Sequence, residues 1–133
     1  MFFAKTVKAV AERLPFVANL YRRLRDQFDY FDQPVESPWG FKLAGNANMS
    51  SGSFEVEETT FVRSVLKEVD LFVNVGANVG YYCCHALSME KPIIAFEPIQ
   101  RNVNYLLKNM KANGWSCAEV YPVALSNLSL IHI

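Results

Sequence analysis

Residues 71–80 read LFVNVGANVG, and Glu97 follows 17 positions after the last glycine, in AFEP. This stretch constrains the chain more than any other. A short, mostly apolar, β-rich run enters a turn bracketed by Gly76 and Gly80. ANVGYYCCHALSM then takes up a helical period, PIIAF returns to a strand, and QRNVNYLLKNMKANG forms a second helix that stops at Asn113-Gly114. AEVYPVAL reads as a third strand or strand edge and LSLIHI as the start of a fourth. Strands alternating with helices predict a mainly parallel sheet, an α/β fold of the Rossmann-like kind. In such sheets ligands bind at the carboxyl ends of the strands, where the strand order reverses.

The turn has ligand chemistry written into it. Glycine permits dihedrals and close approach that a Cβ forbids, and Asn78 is among the residues that tolerate a left-handed backbone. The next helix begins with backbone amides that suit a carboxylate or phosphate. Glu97 ends the second strand 21 residues after Gly76, the expected place for an acid that accepts ribose hydroxyls. Dinucleotide sites use G-x-G-x-x-G to make room for a pyrophosphate. Here the segment is G-A-N-V-G, which favours a ribose-bearing cofactor without pyrophosphate, chiefly S-adenosylmethionine. A tight βα turn with no ligand, and a glutamate that only caps the next helix, is the plain alternative.

Upstream, residues 3–14 and 16–28 show helical apolar stripes interrupted at Pro15, and a short strand is expected at 40–43. NANMSSGS reads as loop. EVEETTFVRSVLKE reads as a helix that buries Phe61, Val65 and Leu66. The expected organisation is a helical and loop segment over 1–50, then the N-terminal half of a nucleotide-binding domain over 51–133. The sequence stops inside the apolar run Leu130-Ile131-His132-Ile133, which suggests a fragment whose first strand lies at a sheet edge.

The chain has 133 residues and zero formal net charge, with 13 basic and 13 acidic side chains, so bulk electrostatics offers a nucleic-acid partner no help. Residues 1–25 carry six basic side chains and one acid, whereas 26–70 carry nine acids and three bases. The basic opening suits either an anionic membrane surface or the acidic stretch behind it, and the second requires no further partner. Three cysteines, none in a CxxC or metal-ligand spacing, fit a reducing compartment, and a cytoplasmic location is expected. No metal is expected. His85 and His132 read as structural histidines, and Asn102, Asn104 and Asn109 as surface residues of the last helix.

VNVGANVGYY, AFEP with NVNYLLKNMKANG, PVALSN and the lead-in GSFEVEET together resemble the FkbM family of S-adenosylmethionine-dependent methyltransferases, over about residues 52–127. The resemblance implies a class I methyltransferase fold. Gly76, Ala77, Asn78 and Gly80 would line the methionine end of the cofactor, Glu97 would hold the ribose, and Ala124 would lie toward the adenine. Glu55 would border the same region. The implied chemistry is methyl transfer to a hydroxyl of a small molecule or sugar, with no nucleic acid as partner.

Two departures weaken that implication. Asn74 stands where the family has an aspartate, so the turn loses a charge that favours a cationic cofactor. The family's later aspartate–x–glutamate–glycine strand has no counterpart before Ile133, so no catalytic residue is assigned and the 133-residue piece is expected to be inactive. The rival readings are a degenerate binding module and a nicotinamide-dependent oxidoreductase.

Overall fold

The computed structural model describes residues 30–126. The chain divides into two compact units, Met1–Tyr30 and Phe31–Ile133, and every described residue except Tyr30 belongs to the second. The helices expected over 3–14 and 16–28, the fourth strand at LSLIHI, and His132 lie outside the described residues.

The elements in chain order are β1 (Tyr30–Glu36), β2 (Lys42–Asn46), α1 (Ala47–Ser50), α2 (Val56–Leu66), β3 (Phe72–Val75), α3 (Tyr81–Ser88), β4 (Ile93–Phe96), α4 (Gln100–Asn113) and β5 (Ala118–Tyr121). β1 and β2 form a two-stranded sheet, and β3, β4 and β5 form a parallel sheet in that order. Register runs Phe72 to Ile93 and Val75 to Phe96, then Ile93 to Ala118 and Phe96 to Tyr121. The α/β Rossmann-like reading therefore holds, as three strands of a class I methyltransferase-like fold. Within the described sheet β3 is an edge strand, as expected.

Alternation along each strand sorts the two faces. Ile93 and Ala95 of β4 are buried against Leu66 of α2, Cys83, Ala86 and Leu87 of α3, and Leu106 of α4. On the opposite face Val73 and Val75 remain 51% and 60% exposed. No described helix is long and apolar enough to cross a membrane, and no described group of His, Cys, Asp or Glu is arranged to hold a metal ion.

Three sequence readings are corrected. NANMSSGS is not all loop: Asn46 caps α1 by accepting the Asn48 amide at 2.9 Å. In α2, Leu66 is buried as expected, but Phe61 is 68% and Val65 42% exposed, and Thr59 is buried instead. The packed side of α2 carries Thr59, Val62 and Leu66, so Phe61 is turned away from the core.

Nor are Asn102 and Asn109 surface residues. Asn109 is fully buried; its Oδ1 accepts from the Ala44 amide at 2.6 Å, and its Nδ2 donates to the carbonyls of Ala44 and Val79. One turn on, Asn113 exchanges the same kind of pair with the amide and carbonyl of Lys42. Two side-chain amides on α4 thus pair with alternate residues of β2 as a neighbouring strand would.

Burial also decides the state of His85. It is wholly inaccessible, with the rings of Trp39, Phe41 and Tyr81 at centroid distances of 5.0, 5.0 and 4.6 Å. Burial first, and then the nearby Arg63 charge, lowers its pKa from 6.5 to about 4. Because the unfolded chain binds this proton more readily than the folded one, His85 removes stability as pH falls from 6.5 toward 4. Urea unfolding across that window should show a His85 contribution of at most about 1.4 kcal/mol per pH unit, absent in His85→Gln.

Candidate functional site

The site is built around the turn from β3 to α3. Gly76 and Ala77 both donate their amides to the Phe96 carbonyl, at 2.8 and 3.0 Å, which ties the end of β3 to β4. The chain then reverses through positive φ at Gly76 (80°), Asn78 (54°) and Gly80 (87°). Asn78 takes the left-handed conformation expected of it, and its Oδ1 accepts the Val79 amide at 2.9 Å.

The two glycines do different work. A Cβ at Gly80 would stand 2.9 Å from Leu106 Cγ, so this glycine lets α4 pack against the start of α3. A Cβ at Gly76 would meet nothing within 4 Å. The backbone there faces open space, as a turn that cradles a ligand requires. Ala77, in contrast, sends its methyl into the core, so it can meet a ligand only through its backbone.

Glu97 lies just past β4 and is 4% exposed. Its Oε2 accepts the Asn78 amide at 2.8 Å, and its Oε1 accepts from the Ile99 amide at 3.0 Å and Asn102 Nδ2 at 3.2 Å. The carboxylate therefore braces the turn and the entry to α4 at once. At the α4 end its partners are the Ile99 amide, just before the helix, and the Asn102 side chain. Oε2 has one bond and retains a lone pair.

The turn and the helix after it differ in their backbone amides. Gly76, Ala77, Asn78, Val79 and Gly80 all donate internally. The amides of Tyr81, Tyr82 and Cys83, in the first turn of α3, have no intrahelical acceptor.

Glu55 reaches the same region from α2. It occupies the N-cap position of that helix with φ 41° and ψ 56°, yet makes no side-chain cap. Its Oε2 instead accepts the Tyr82 hydroxyl at 2.6 Å. Burial and that bond push the Tyr82 phenol up to about 12, so it stays a donor. Beside it, the Tyr81 hydroxyl lies 3.1 Å from Thr59 Oγ1. A non-glycine residue in a strained conformation that declines to cap its helix is the kind of exception found at functional sites.

Asn74 lies elsewhere in character. Its side-chain amide is turned toward Cys83, with Nδ2 3.5 Å from Sγ. Ala124 is exposed beyond β5, and no hydrogen bond joins it to the turn. The geometry thus gathers Gly76, Asn78, Gly80 and Glu97 around one turn, links Glu55 to it through Tyr82, and leaves Ala124 apart. Asn102, which sequence reading passed over, completes the Glu97 shell. Its position five residues after an acid at a strand end was the available signal.

No family profile and no curated protein matches the chain. Among solved structures, it is similar to an S-adenosylmethionine-dependent methyltransferase from Agrobacterium tumefaciens (TM-score 0.53, 11% identity, 69% of this chain and 32% of that one). It is also similar to yhhF, a candidate methyltransferase from Escherichia coli (TM-score 0.51, 22% identity, 70% of this chain and 52% of that one). A third similar structure is the M. jannaschii tRNA m1G37 methyltransferase (TM-score 0.47, 16% identity, 70% of this chain and 29% of that one). The chain spans between 29% and 52% of the length of these proteins.

Two expectations are not kept. The FkbM resemblance is not upheld: the likeness is to Rossmann-fold class I methyltransferases, and no family profile supports the narrower assignment. The exclusion of nucleic acid as a partner also falls, because it rested on formal charge summed over the whole chain. Zero net charge over a whole chain does not describe the charge of any one surface.

The glycine geometry gives a direct test. Gly76→Ala and Gly80→Ala should each lose about 1 kcal/mol from the positive-φ backbone, with Gly80→Ala losing a further 1 kcal/mol or so from overpacking on Leu106. Urea unfolding midpoints measure both, and Gly80→Ala is expected to be the less stable.

Proposed function

We propose that the turn at 76–80, with Glu97, binds S-adenosylmethionine, and that the protein transfers the cofactor's methyl group to an acceptor nucleophile. The observation that carries this reading is the buried Glu97 carboxylate bound to the Asn78 amide, beside the open backbone of Gly76. That arrangement stands at the carboxyl end of a parallel sheet similar in fold to a methyltransferase domain.

On this reading the backbone of Gly76, Ala77, Asn78 and Gly80 shapes the methionine end of the pocket. The first amides of α3 receive the carboxylate of that amino acid. The remaining lone pair on Glu97 Oε2 accepts a ribose hydroxyl, and Ala124 lies on the adenine side. Glu55, held by Tyr82, supplies negative charge toward the α-ammonium. Asn74 keeps the strand end in place but adds no charge of its own. When bound, the cofactor supplies an electrophilic methyl group on a sulfonium, and the protein's part is alignment of the attacking atom with it. The small-molecule or sugar hydroxyl expected as acceptor rested on the family resemblance corrected above and forms no part of this proposal.

A second reading, binding without turnover, draws support from Asn74. Its amide is engaged with Cys83, so the end of β3 offers the cationic cofactor no anion. The oxidoreductase reading has weaker footing, because the Gly76 and Ala77 amides that would face a pyrophosphate already donate to Phe96.

Calorimetric titration separates these. S-adenosylmethionine should bind the folded protein and NAD should not, and Glu97→Gln should weaken binding by about tenfold or more. Heat from NAD alone, or from neither ligand, contradicts the proposal. Accumulation of S-adenosylhomocysteine during incubation with candidate acceptors distinguishes turnover from binding alone.

A further inference from the structure

Arg63 on α2 is half-buried, and neither of its partners is an anion. Nη1 lies 2.9 Å from His85 Nδ1, and the guanidinium carbon stands 5.2 Å from the centre of the Trp39 ring. The bond to Arg63 makes Nδ1 the acceptor and leaves the proton on Nε2 of a neutral imidazole. Among the described residues no carboxylate pairs with Arg63, nor with Lys67 one turn further along the helix. A partly desolvated guanidinium is costly to hold without a counter-ion.

Both cations open onto one cleft of about 310 Å³, which Trp39, Thr60, Ser64 and Met89 also line. The hydroxyls of Thr60 and Ser64 donate to the carbonyls of Val56 and Phe61, so their oxygens are left as acceptors. Trp39 and Met89 supply apolar wall. Met89 closes α3 at the end opposite Gly80, so the cleft is separate from the cofactor turn.

We propose that this cleft binds a nucleotide, with Arg63 and Lys67 on the phosphate and Trp39 against the flat base. Arg63 is held in place by His85 and Trp39 before the ligand arrives, which lowers the ordering cost of a forked bond to phosphate. The acceptor oxygens of Thr60 and Ser64 suit the donors of a ribose or base. A free mononucleotide and a nucleotide within an RNA chain share this chemistry. The inference does not depend on the cofactor reading.

Trp39 reports on its own site. The chain has two tryptophans, so Trp115→Phe leaves Trp39 as the sole indole emitter. Titration of that variant with uridine monophosphate should quench its fluorescence saturably, and uridine should bind at least about tenfold more weakly. Lys67 is exposed and makes no bond that its loss would break, so Lys67→Ala should fold normally and weaken the nucleotide by about tenfold. Arg63→Lys should weaken it as well, because an ammonium keeps the charge but not the fork. Tighter binding of a uridine tetranucleotide than of the monophosphate assigns the site to RNA, and equal binding to free nucleotide. Absence of saturable quenching by either, equal affinity for uridine, or an unaffected Lys67→Ala overturns the proposal.

Discussion

The carboxylate of Glu97 is the interaction on which the candidate site depends. A charge that is 4% exposed persists only if its oxygens are occupied, and here three donors occupy them. The donors come from two places that the chain must bring together: the amide of Asn78 in the β3–α3 turn, and Ile99 with Asn102 at the entry to α4. One side chain therefore fixes the turn against the helix that follows the next strand. The turn itself needs that support, because three of its five residues hold positive φ.

A second polar brace works from the other end of α4. Asn109 binds the carbonyl of Val79, one residue before Gly80, and also both backbone groups of Ala44. Gly80 allows Leu106 to approach closely enough for that geometry. The turn is thus gripped on one side by Glu97 and on the other by Asn109, while the backbone of Gly76 stays open. Rigidity around an open cradle is what a preorganised ligand site requires, since the ordering cost is met in folding rather than binding.

Much of this was legible in the sequence, for physical reasons. The β-rich run, the glycine spacing and the acid at Glu97 follow from backbone periodicity and steric rules, and the parallel sheet follows from their alternation. What spacing does not fix is the direction of a side chain. Glu97 was placed correctly along the chain, yet its engagement by its own turn and helix emerges only from the packing. Asn109 and Asn113 look like ordinary polar residues on an amphipathic helix, because their partners on β2 are 65 and 71 residues away and Val79 is 30 away. Phe61 and Val65 were assigned to the core by helical period, but Thr59 takes the buried place through Tyr81 and the Phe54 carbonyl. The family resemblance failed for a related reason. Short motifs around a glycine turn are shared by many class I methyltransferase-like folds, so they constrain the fold more tightly than the acceptor or the partner.

Backbone amide shifts on addition of S-adenosylhomocysteine report whether the turn braced by Glu97 holds the cofactor. Saturable shifts are expected to centre on the turn at Gly76–Gly80, the first turn of α3 at Tyr81–Cys83, and Ile99, whose amide shares the Glu97 carboxylate. Unmoved amides at those positions, or shifts centred on a different part of the fold, would contradict it.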